Sequence, residues 1–262
     1  ASMPPLALGL LTGFAFEIWL GLVIALSTAM LYAVLHLVRN RWWLWTLSLL
    51  SGIIAYFAFF NLEVIQRLNI FLGYPVTLLS LLFLLPDLFL KKDWQANLPW
   101  RLPLRIYGVL FTVYLTFVLP VQDESGHVAV CYFLFAVFFV VYALAYRKAI
   151  LAYLPTAYLP LAILFALDAF DVEAWLPTLV ALAVVYFVSG IVLRAKEAWS
   201  FVLRNSALIL GGLASFAALM FGQESGGWFV LVIGLLFAAE MYLRKNGWLE
   251  VGAPVFFSLG AL

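Results

Sequence analysis

The sequence predicts an all-α polytopic membrane protein, a transmembrane helical bundle of about ten spans built from tandem helical hairpins of about 50 residues. The first reason is composition: 67% of the residues are hydrophobic and 10% are charged. Soluble domains have roughly 45–50% apolar and about 25% charged residues. The second reason is that the apolar residues form long continuous runs rather than alternating segments, which in lipid favours helices over a closed barrel.

Apolar runs of about 18 or more residues can cross a hydrocarbon core of about 30 Å at ~1.5 Å per residue. The predicted spans are 14–38, 42–60, 69–90, 104–120, 128–146, 149–167, 175–193, 205–222, 227–243 and 251–262. Spans and short turns use nearly the whole chain, so residues 1–262 are predicted to form a single transmembrane domain. The last run is too short to cross, so either the last helix is partial or the natural chain continues.

A repeated pattern predicts the hairpins. Each cycle has an apolar span, a basic turn followed by an aromatic residue, a second apolar span and an acidic turn. Arg147, Arg194 and Arg244 follow one another at intervals of about 50 residues, the length of one membrane hairpin. The predicted hairpin repeats are about 14–60, 69–120, 128–167, 175–222 and 227–262. The alternative is that unrelated membrane hairpins share this composition without duplication.

The distribution of charge predicts the orientation in the membrane, because lysine and arginine accumulate in cytoplasmic loops. The connections between predicted spans are numbered here in chain order. Every basic residue except Arg67 lies in or beside an odd-numbered connection. The acidic turns occupy the even-numbered connections. The basic residues of the odd connections are Arg39, Arg41, Lys91, Lys92, Arg101, Arg105, Arg147, Lys148, Arg194, Lys196, Arg204, Arg244 and Lys245. We therefore predict a multi-pass protein of the cell (inner) membrane, with the N-terminus outside and the basic loops cytoplasmic.

Aromatic and proline residues characterise the first half of the chain. The tryptophan-rich segment from Arg41 to Trp45 is typical of an interfacial anchor at the depth of the lipid headgroups. Pro75 and Pro86 are expected to bend the third span, because proline lacks an amide donor and clashes with the preceding turn. The connection from Lys91 to Arg105 is expected to lie on the cytoplasmic surface as a basic, aromatic segment.

Ionisable residues inside spans usually belong to ion or proton pathways, and this chain has few of them. Asp87 lies four residues before Lys91, and Glu240 lies four residues before Arg244. At that spacing each acid can pair with the base along one helix. Both acids are therefore expected to be structural.

Four other charged or titratable residues lie near predicted span ends. His36 is expected to rest at the interface, and Glu17 lies near the outer surface without a local partner. Arg204 and Glu250 are placed one turn inside the cytoplasmic boundary, where they are expected to pair across helices. None of these positions predicts a catalytic residue.

The turn from Asp123 to His127 is the one candidate for a divalent-ion site, since it offers carboxylates and an imidazole. Such a cluster on a flexible turn is more often solvated, so no metal site is predicted. His36 alone does not suit haem or chlorophyll, and no cofactor is predicted. The single cysteine, Cys131, cannot form an intrachain disulfide. No catalytic residue is assigned, and cofactor-binding residues are unknown.

Three classes of function remain. A scaffold, accessory subunit or lipid-interacting component without intrinsic catalysis fits the apolar interior and the absence of reactive motifs. The alternative is a transporter or channel for a small neutral or apolar substrate, not proton-coupled through buried carboxylates, which would need a polar cavity near the midplane. A membrane enzyme is least favoured. The expected partners are the lipid bilayer and other membrane subunits, and a net charge of +1 does not favour nucleic acid.

The polar residues of the spans are mostly serine and threonine. Hydroxyls of this kind commonly bond to their own helix or hold neighbouring helices together. Those expected to do so are Ser27, Thr28, Thr46, Ser48, Ser51, Thr77, Ser80, Thr112, Thr116, Ser189 and Ser215. A scaffold should accordingly have a dry bundle with a surface that faces lipid or a partner.

Overall fold

The computed structural model describes residues 18–62, 68–89, 98–220, 226–244 and 254–255. Within these ranges the chain is all-helical. It divides into two compact units, unit 1 from Ala1 to Leu119 and unit 2 from Pro120 to Leu262. The prediction of an all-α fold is therefore confirmed.

Unit 1 contains four described α-helices, and unit 2 contains five. Those of unit 1 are α1 (Ile18–Arg39), α2 (Trp42–Phe60), α3 (Gly73–Phe89) and α4 (Leu98–Val118). Those of unit 2 are α5 (Ser125–Tyr146), α6 (Tyr153–Ala169), α7 (Trp175–Val192), α8 (Glu197–Met220) and α9 (Gly226–Arg244). Short 3₁₀ segments cover Leu119–Val121 and Ala149–Ala152.

Seven of the described helices are long and apolar enough to cross a membrane, and α3 and α9 are shorter apolar helices. This agrees with a multi-pass membrane protein. Of the tenth predicted span, only Pro254 and Val255 lie within the described residues, so the count of about ten spans stays a prediction.

Short turns connect helices that are consecutive in the chain, and such turns make the helices antiparallel neighbours. Asn40, with φ of 45°, ends α1, and its amide donates to the carbonyl of His36 at 2.6 Å. Arg147 has the same left-handed backbone, with φ of 53°, after α5. A left-handed residue at this position satisfies a free carbonyl and turns the chain sharply. The helices α1 and α2, α3 and α4, α5 and α6, and α7 and α8 pack most extensively as consecutive pairs.

These pairs lie where the sequence places its hairpins, although duplication of one ancestral hairpin stays a prediction.

Hydrogen bonds between helices stabilise unit 1. The Ser48 hydroxyl donates to the carbonyl oxygen of Ala29 at 2.8 Å, and the Tyr56 hydroxyl donates to that of Pro75 at 2.8 Å. Gly108 of α4 packs against α3 so closely that a β-carbon would lie 2.6 Å from Leu84 Cγ. Small residues permit such close packing of membrane helices.

Unit 2 has an apolar core between α7, α8 and α9. It is formed by Leu176, Leu179, Val180, Ala183, Ala214, Ala218 and Ile233. On the other side of the unit, α5 and α6 share stacked rings, with Phe139 and Tyr158 at a centroid distance of 5.7 Å and an interplanar angle of 12°. Offset stacking of this kind strengthens aromatic contacts beyond the area they bury.

The connection predicted from Lys91 to Arg105 is corrected at its C-terminal part. Helix α4 begins at Leu98, so the arginines at 101 and 105 belong to a helix and not to a surface loop. Pro99 is compatible with this start, since the first helical amides have no intrahelical partner. Helix α3 continues through Pro86, and the bend expected there stays a prediction.

Candidate functional site

Several charged residues lie outside the described residues, among them Glu17, Glu63, Arg67, Lys91, Lys92, Glu224, Lys245 and Glu250. Arg39 and Arg41 are exposed at the turn between α1 and α2. Other described charged residues form a buried ionic cluster in unit 1, an ion pair in unit 2, and the exposed turns of unit 2.

The buried ionic cluster of unit 1 consists of Asp87, Arg101 and Arg105. Arg101 Nε lies 2.8 Å from Asp87 Oδ1, and its Nη2 lies 2.6 Å from the same oxygen. Arg105 Nε and Nη2 both lie 2.6 Å from Asp87 Oδ2. The side chain of Asp87 is 1% exposed and that of Arg101 is 2% exposed. The cluster fastens the end of α3 to the start of α4.

The predicted local pair of Asp87 with Lys91 cannot be followed, because Lys91 lies outside the described residues. The sequence did contain a signal for the observed contact. Arg101 and Arg105 are separated by four residues and therefore share one helix face. That face turns toward the acid at the end of the preceding helix. The signal was missed because these arginines were assigned to a loop.

His36 is fully buried in unit 1, and its predicted place at the depth of the membrane interface stays a prediction. Its Nδ1 donates to the carbonyl of Arg41 at 2.8 Å. The ring lies 4.1 Å from the ring of Trp100 and 5.9 Å from that of Trp45, measured between centroids. The imidazole therefore stabilises the turn between α1 and α2 and packs against the indole rings of Trp45 and Trp100.

The interfacial tryptophan segment thus divides into two roles. Trp42 and Trp43 are exposed, and their role as an interfacial anchor stays a prediction. Trp45 instead turns inward, and its indole N–H donates to the carbonyl of Trp100 at 3.0 Å.

In unit 2, Arg204 of α8 pairs with Glu240 of α9. Arg204 Nη1 lies 3.0 Å from Glu240 Oε2, and the glutamate side chain is fully buried. Gly190 of α7 makes room for the arginine, since a β-carbon there would lie 2.5 Å from Arg204 Cγ. An interhelical pair for Arg204 was expected, but with Glu250, which lies outside the described residues. The side chain of Arg244, the predicted partner of Glu240, also lies outside them.

The exposed charges of unit 2 are separated between its two ends. The basic end carries Arg147 and Lys148 after α5, and Arg194 and Lys196 after α7. The opposite, acidic end carries Asp123, Glu124, Asp168, Asp171 and Glu173. A hydrogen bond from Ser125 Oγ to Asp168 Oδ2 places the two acidic turns side by side.

At the acidic end, His127 Nε2 lies 3.7 Å from Glu124 Oε2, and both side chains are exposed. No group of three or more metal-ligating residues meets among the described residues. The side chains of Glu124 and His127 are accessible to solvent in this turn.

Unit 2 has a groove between α6, α7 and α8, with a volume of about 900 Å³. We call it the large groove. Its lining residues are Tyr153, Thr156, Ala157, Pro160, Leu161, Leu164, Trp175, Leu179, Ser206, Ile209, Leu210, Leu213, Ala214 and Ala217. The lining is almost wholly apolar.

The few polar groups of the large groove collect at the end nearer the basic turns. Thr156 and Ser206 share a hydrogen bond of 2.9 Å between their hydroxyls. Beside them, Asn205 Nδ2 donates to Tyr153 Oη at 3.0 Å. Trp175 lies at the opposite end, beside the acidic turns. The groove is therefore asymmetric, with hydroxyls at one end and an indole at the other.

A second recess of about 410 Å³, here the small cavity, lies on the other side of Thr156. It is lined by Phe133, Ala136, Val137, Val140, Ala143, Leu144, Ala152, Pro155, Thr156, Leu159, Tyr186, Leu193, Trp199 and Leu203. Because Ala152, Leu193 and Trp199 lie at the ends of their helices, this cavity adjoins the basic end of unit 2.

The expected role of the span hydroxyls is confirmed at several positions. Ser27, Thr46 and Ser51 donate to carbonyls one turn earlier on their own helices. Ser80 reaches α4 instead, bonding to Gly108 O at 2.9 Å and sharing a 2.7 Å hydrogen bond with Thr112. These hydroxyls therefore form hydrogen bonds within one helix or between neighbouring helices.

Neither the family models, nor the curated proteins, nor the solved structures contain a match to this chain. The geometry of the recesses and the charges around them are therefore the features of the chain that bear on its function.

Proposed function

We propose that this chain is a membrane protein without catalysis of its own, which acts as a lipid-interacting component of a membrane assembly and holds an apolar chain in the large groove. The observation that carries the proposal is the size of that groove together with its lining. A recess of about 900 Å³ lies near the upper limit of ligand sites, which occupy roughly 300–1,000 Å³.

The shape of the groove suits an extended chain. It runs from Tyr153 to Leu164 along α6 and from Ser206 to Ala217 along α8, a distance of roughly 16 Å at ~1.5 Å per residue. This is about half of a hydrocarbon core of ~30 Å, the depth of one leaflet. A single acyl or isoprenoid chain of one leaflet has matching length and polarity.

The chemistry of the lining favours binding over reaction. Its described polar groups are the hydroxyls of Tyr153, Thr156 and Ser206 and the indole of Trp175, and its side chains include no carboxylate, imidazole or thiol. Thr156 and Ser206 can turn their hydroxyls toward an ester or an alcohol at the head of a bound chain. The titratable group of the described lining is the phenol of Tyr153, which accepts a hydrogen bond from Asn205.

Replacing Ala157 by tryptophan should block the large groove. Ala157 is exposed and lines the groove, so an indole there fills the recess without entering the core. The test uses the full chain in phosphatidylcholine vesicles containing a diazirine-labelled palmitoyl phosphatidylcholine, with labelled peptides mapped by mass spectrometry. Labelling of groove residues should fall roughly tenfold, which corresponds to a loss of ~1.4 kcal/mol.

The matched control is Ala181→Trp, which adds the same indole at an exposed alanine outside the groove. Labelling of groove residues should be unchanged in this variant. Equal labelling of the groove and of the face around Ala181 in the parent chain would mean that the groove holds only bulk lipid, and the proposal would be abandoned.

We also propose that the basic end of unit 2 faces the cytoplasm, because lysine and arginine are retained on that side. In a Cys131→Ser background, a cysteine replacing Asp123 at the acidic end should react with a membrane-impermeant maleimide in intact cells. A cysteine replacing Ala195 in the basic turn should react only after permeabilisation. The reverse pattern would overturn the orientation.

The second candidate function is the passage of a small apolar molecule through the membrane. The large groove favours this function because its lining extends from Tyr153 to Trp175. Liposomes containing the purified chain should then release an apolar fluorescent solute faster than empty liposomes. Ala157→Trp should abolish the difference. Groove labelling without faster release would leave lipid binding as the function.

A further inference from the structure

We propose that unit 2 also binds an anionic glycerophospholipid at its basic end, with one acyl chain in the small cavity and the headgroup phosphate against the two basic turns. This inference builds on the proposed lipid interaction but concerns another recess. The two sites can therefore fail separately.

The packing of helix ends brings the two basic turns to the mouth of the small cavity. Ala143 of α5, Ala149 and Ala152 of the 3₁₀ segment, and Val202 of α8 form one buried cluster, and Trp199 packs against it. The end of α5 and the start of α8 are thus neighbours. The turns that follow α5 and precede α8 leave this cluster on its surface side.

The charge of this end is complementary to a phosphate. Arg147, Lys148, Arg194 and Lys196 are all exposed there, against one exposed described acid, Glu197. Arg204, the remaining described basic residue of this region, forms an ion pair with the carboxylate of Glu240. Arginine and lysine near a bilayer surface attract anionic headgroups, and charge-assisted bonds to phosphate oxygens are stronger than neutral ones.

The small cavity provides the place for the chain of the same lipid. Its volume of about 410 Å³ falls within the range of ligand sites, roughly 300–1,000 Å³. It extends from Trp199 at the basic end to Phe133, more than three turns along α5. Val137 and Val140 border it and remain about half exposed, so a chain can enter from the bilayer.

The experiment measures binding of dioleoyl phosphatidylglycerol and dioleoyl phosphatidylcholine to the delipidated full chain by native mass spectrometry. The anionic lipid should bind roughly tenfold more tightly, as expected for two or more added charge contacts. The double variant Arg147→Gln, Lys148→Gln should reduce this preference to about twofold or less. The control is Arg39→Gln, Arg41→Gln, which removes two exposed arginines from a turn of unit 1 and should keep the preference.

A second pair of variants tests the cavity. Val140→Trp places an indole in the small cavity, whereas Val141→Trp adds one to the neighbouring exposed position outside it. Binding of phosphatidylglycerol should weaken roughly tenfold in the first and stay unchanged in the second. The inference would be overturned if the parent chain bound both lipids equally. It would also be overturned if the two double variants lost the lipid preference equally, or if the two valine variants lost phosphatidylglycerol binding equally. Failure of Ala157→Trp to reduce groove labelling would affect only the proposed function.

Discussion

Replacing Asp87 by alanine is expected to reduce the free energy of unfolding by roughly 3–5 kcal/mol, the usual cost of removing one partner from a buried ion pair. The carboxylate pairs with two guanidinium groups, of which that of Arg101 is almost completely buried. Without it, the two positive charges repel one another between α3 and α4. The measurement is unfolding of the purified chain in mild detergent, followed by circular dichroism at increasing dodecyl sulfate.

The control is Asp123→Ala, which removes an exposed aspartate and should change stability by no more than about 0.5 kcal/mol. The double variant Asp87→Ala, Arg101→Ala should lose less than the sum of the single variants, since contacting residues are energetically coupled. Additive losses would show that the cluster does not act as a unit.

Replacing Arg204 by leucine is expected to cost about 3 kcal/mol or more, because the buried carboxylate of Glu240 then loses its guanidinium partner. The loss should appear in the same unfolding measurement and in faster proteolysis after α8. The double variant Arg204→Leu, Glu240→Leu should recover most of the stability, since apolar replacement of a whole buried pair is often neutral or stabilising.

Arg194→Leu is the matched control for this pair. Arg194 is exposed in the turn before α8, so its loss should leave stability within about 0.5 kcal/mol of the parent chain. If Arg204→Leu is equally harmless, then the ion pair does not hold α8 to α9, and the core around Ile233 would be the main contact between them.

The helices were predictable because lipid imposes strict requirements on the chain. A continuous apolar run such as that of α5 must satisfy its own backbone hydrogen bonds, so composition and length alone determine a helix. The turn at Arg147 was predictable for a related reason, since adjacent charges end an apolar run. Nothing in these signals specifies which helix faces which, beyond the pairing of consecutive helices.

The polar contacts were harder to predict, since each depends on the rotation of two helices about their axes. His36 lies near Arg39 in the sequence, but that spacing does not show that its helix turns the ring toward Trp45 and Trp100. Glu240 was assigned a partner on its own helix, whereas the described contact comes from Arg204 on α8. Local spacing identifies candidate pairs along one helix and gives no information about neighbouring helices.

The large groove had no signal in the sequence. Its lining consists mostly of apolar residues like those of the other spans, and Ala157 and Ala214 have no chemical feature that distinguishes them from other alanines. The recess is formed by residues of three helices, α6, α7 and α8, that are distant in the sequence. Such an arrangement in three dimensions cannot be derived from a one-dimensional pattern.

The pairing of consecutive antiparallel helices bears on how the gene of this protein can change in length. A hairpin returns the chain to the membrane surface from which it started, so the gain or loss of one whole hairpin leaves every later helix in its original direction. An insertion of a single helix would instead invert everything that follows and move the basic turns to the other side. Variants that differ by complete hairpins are therefore the viable length changes, and the chain can grow without a new insertion signal.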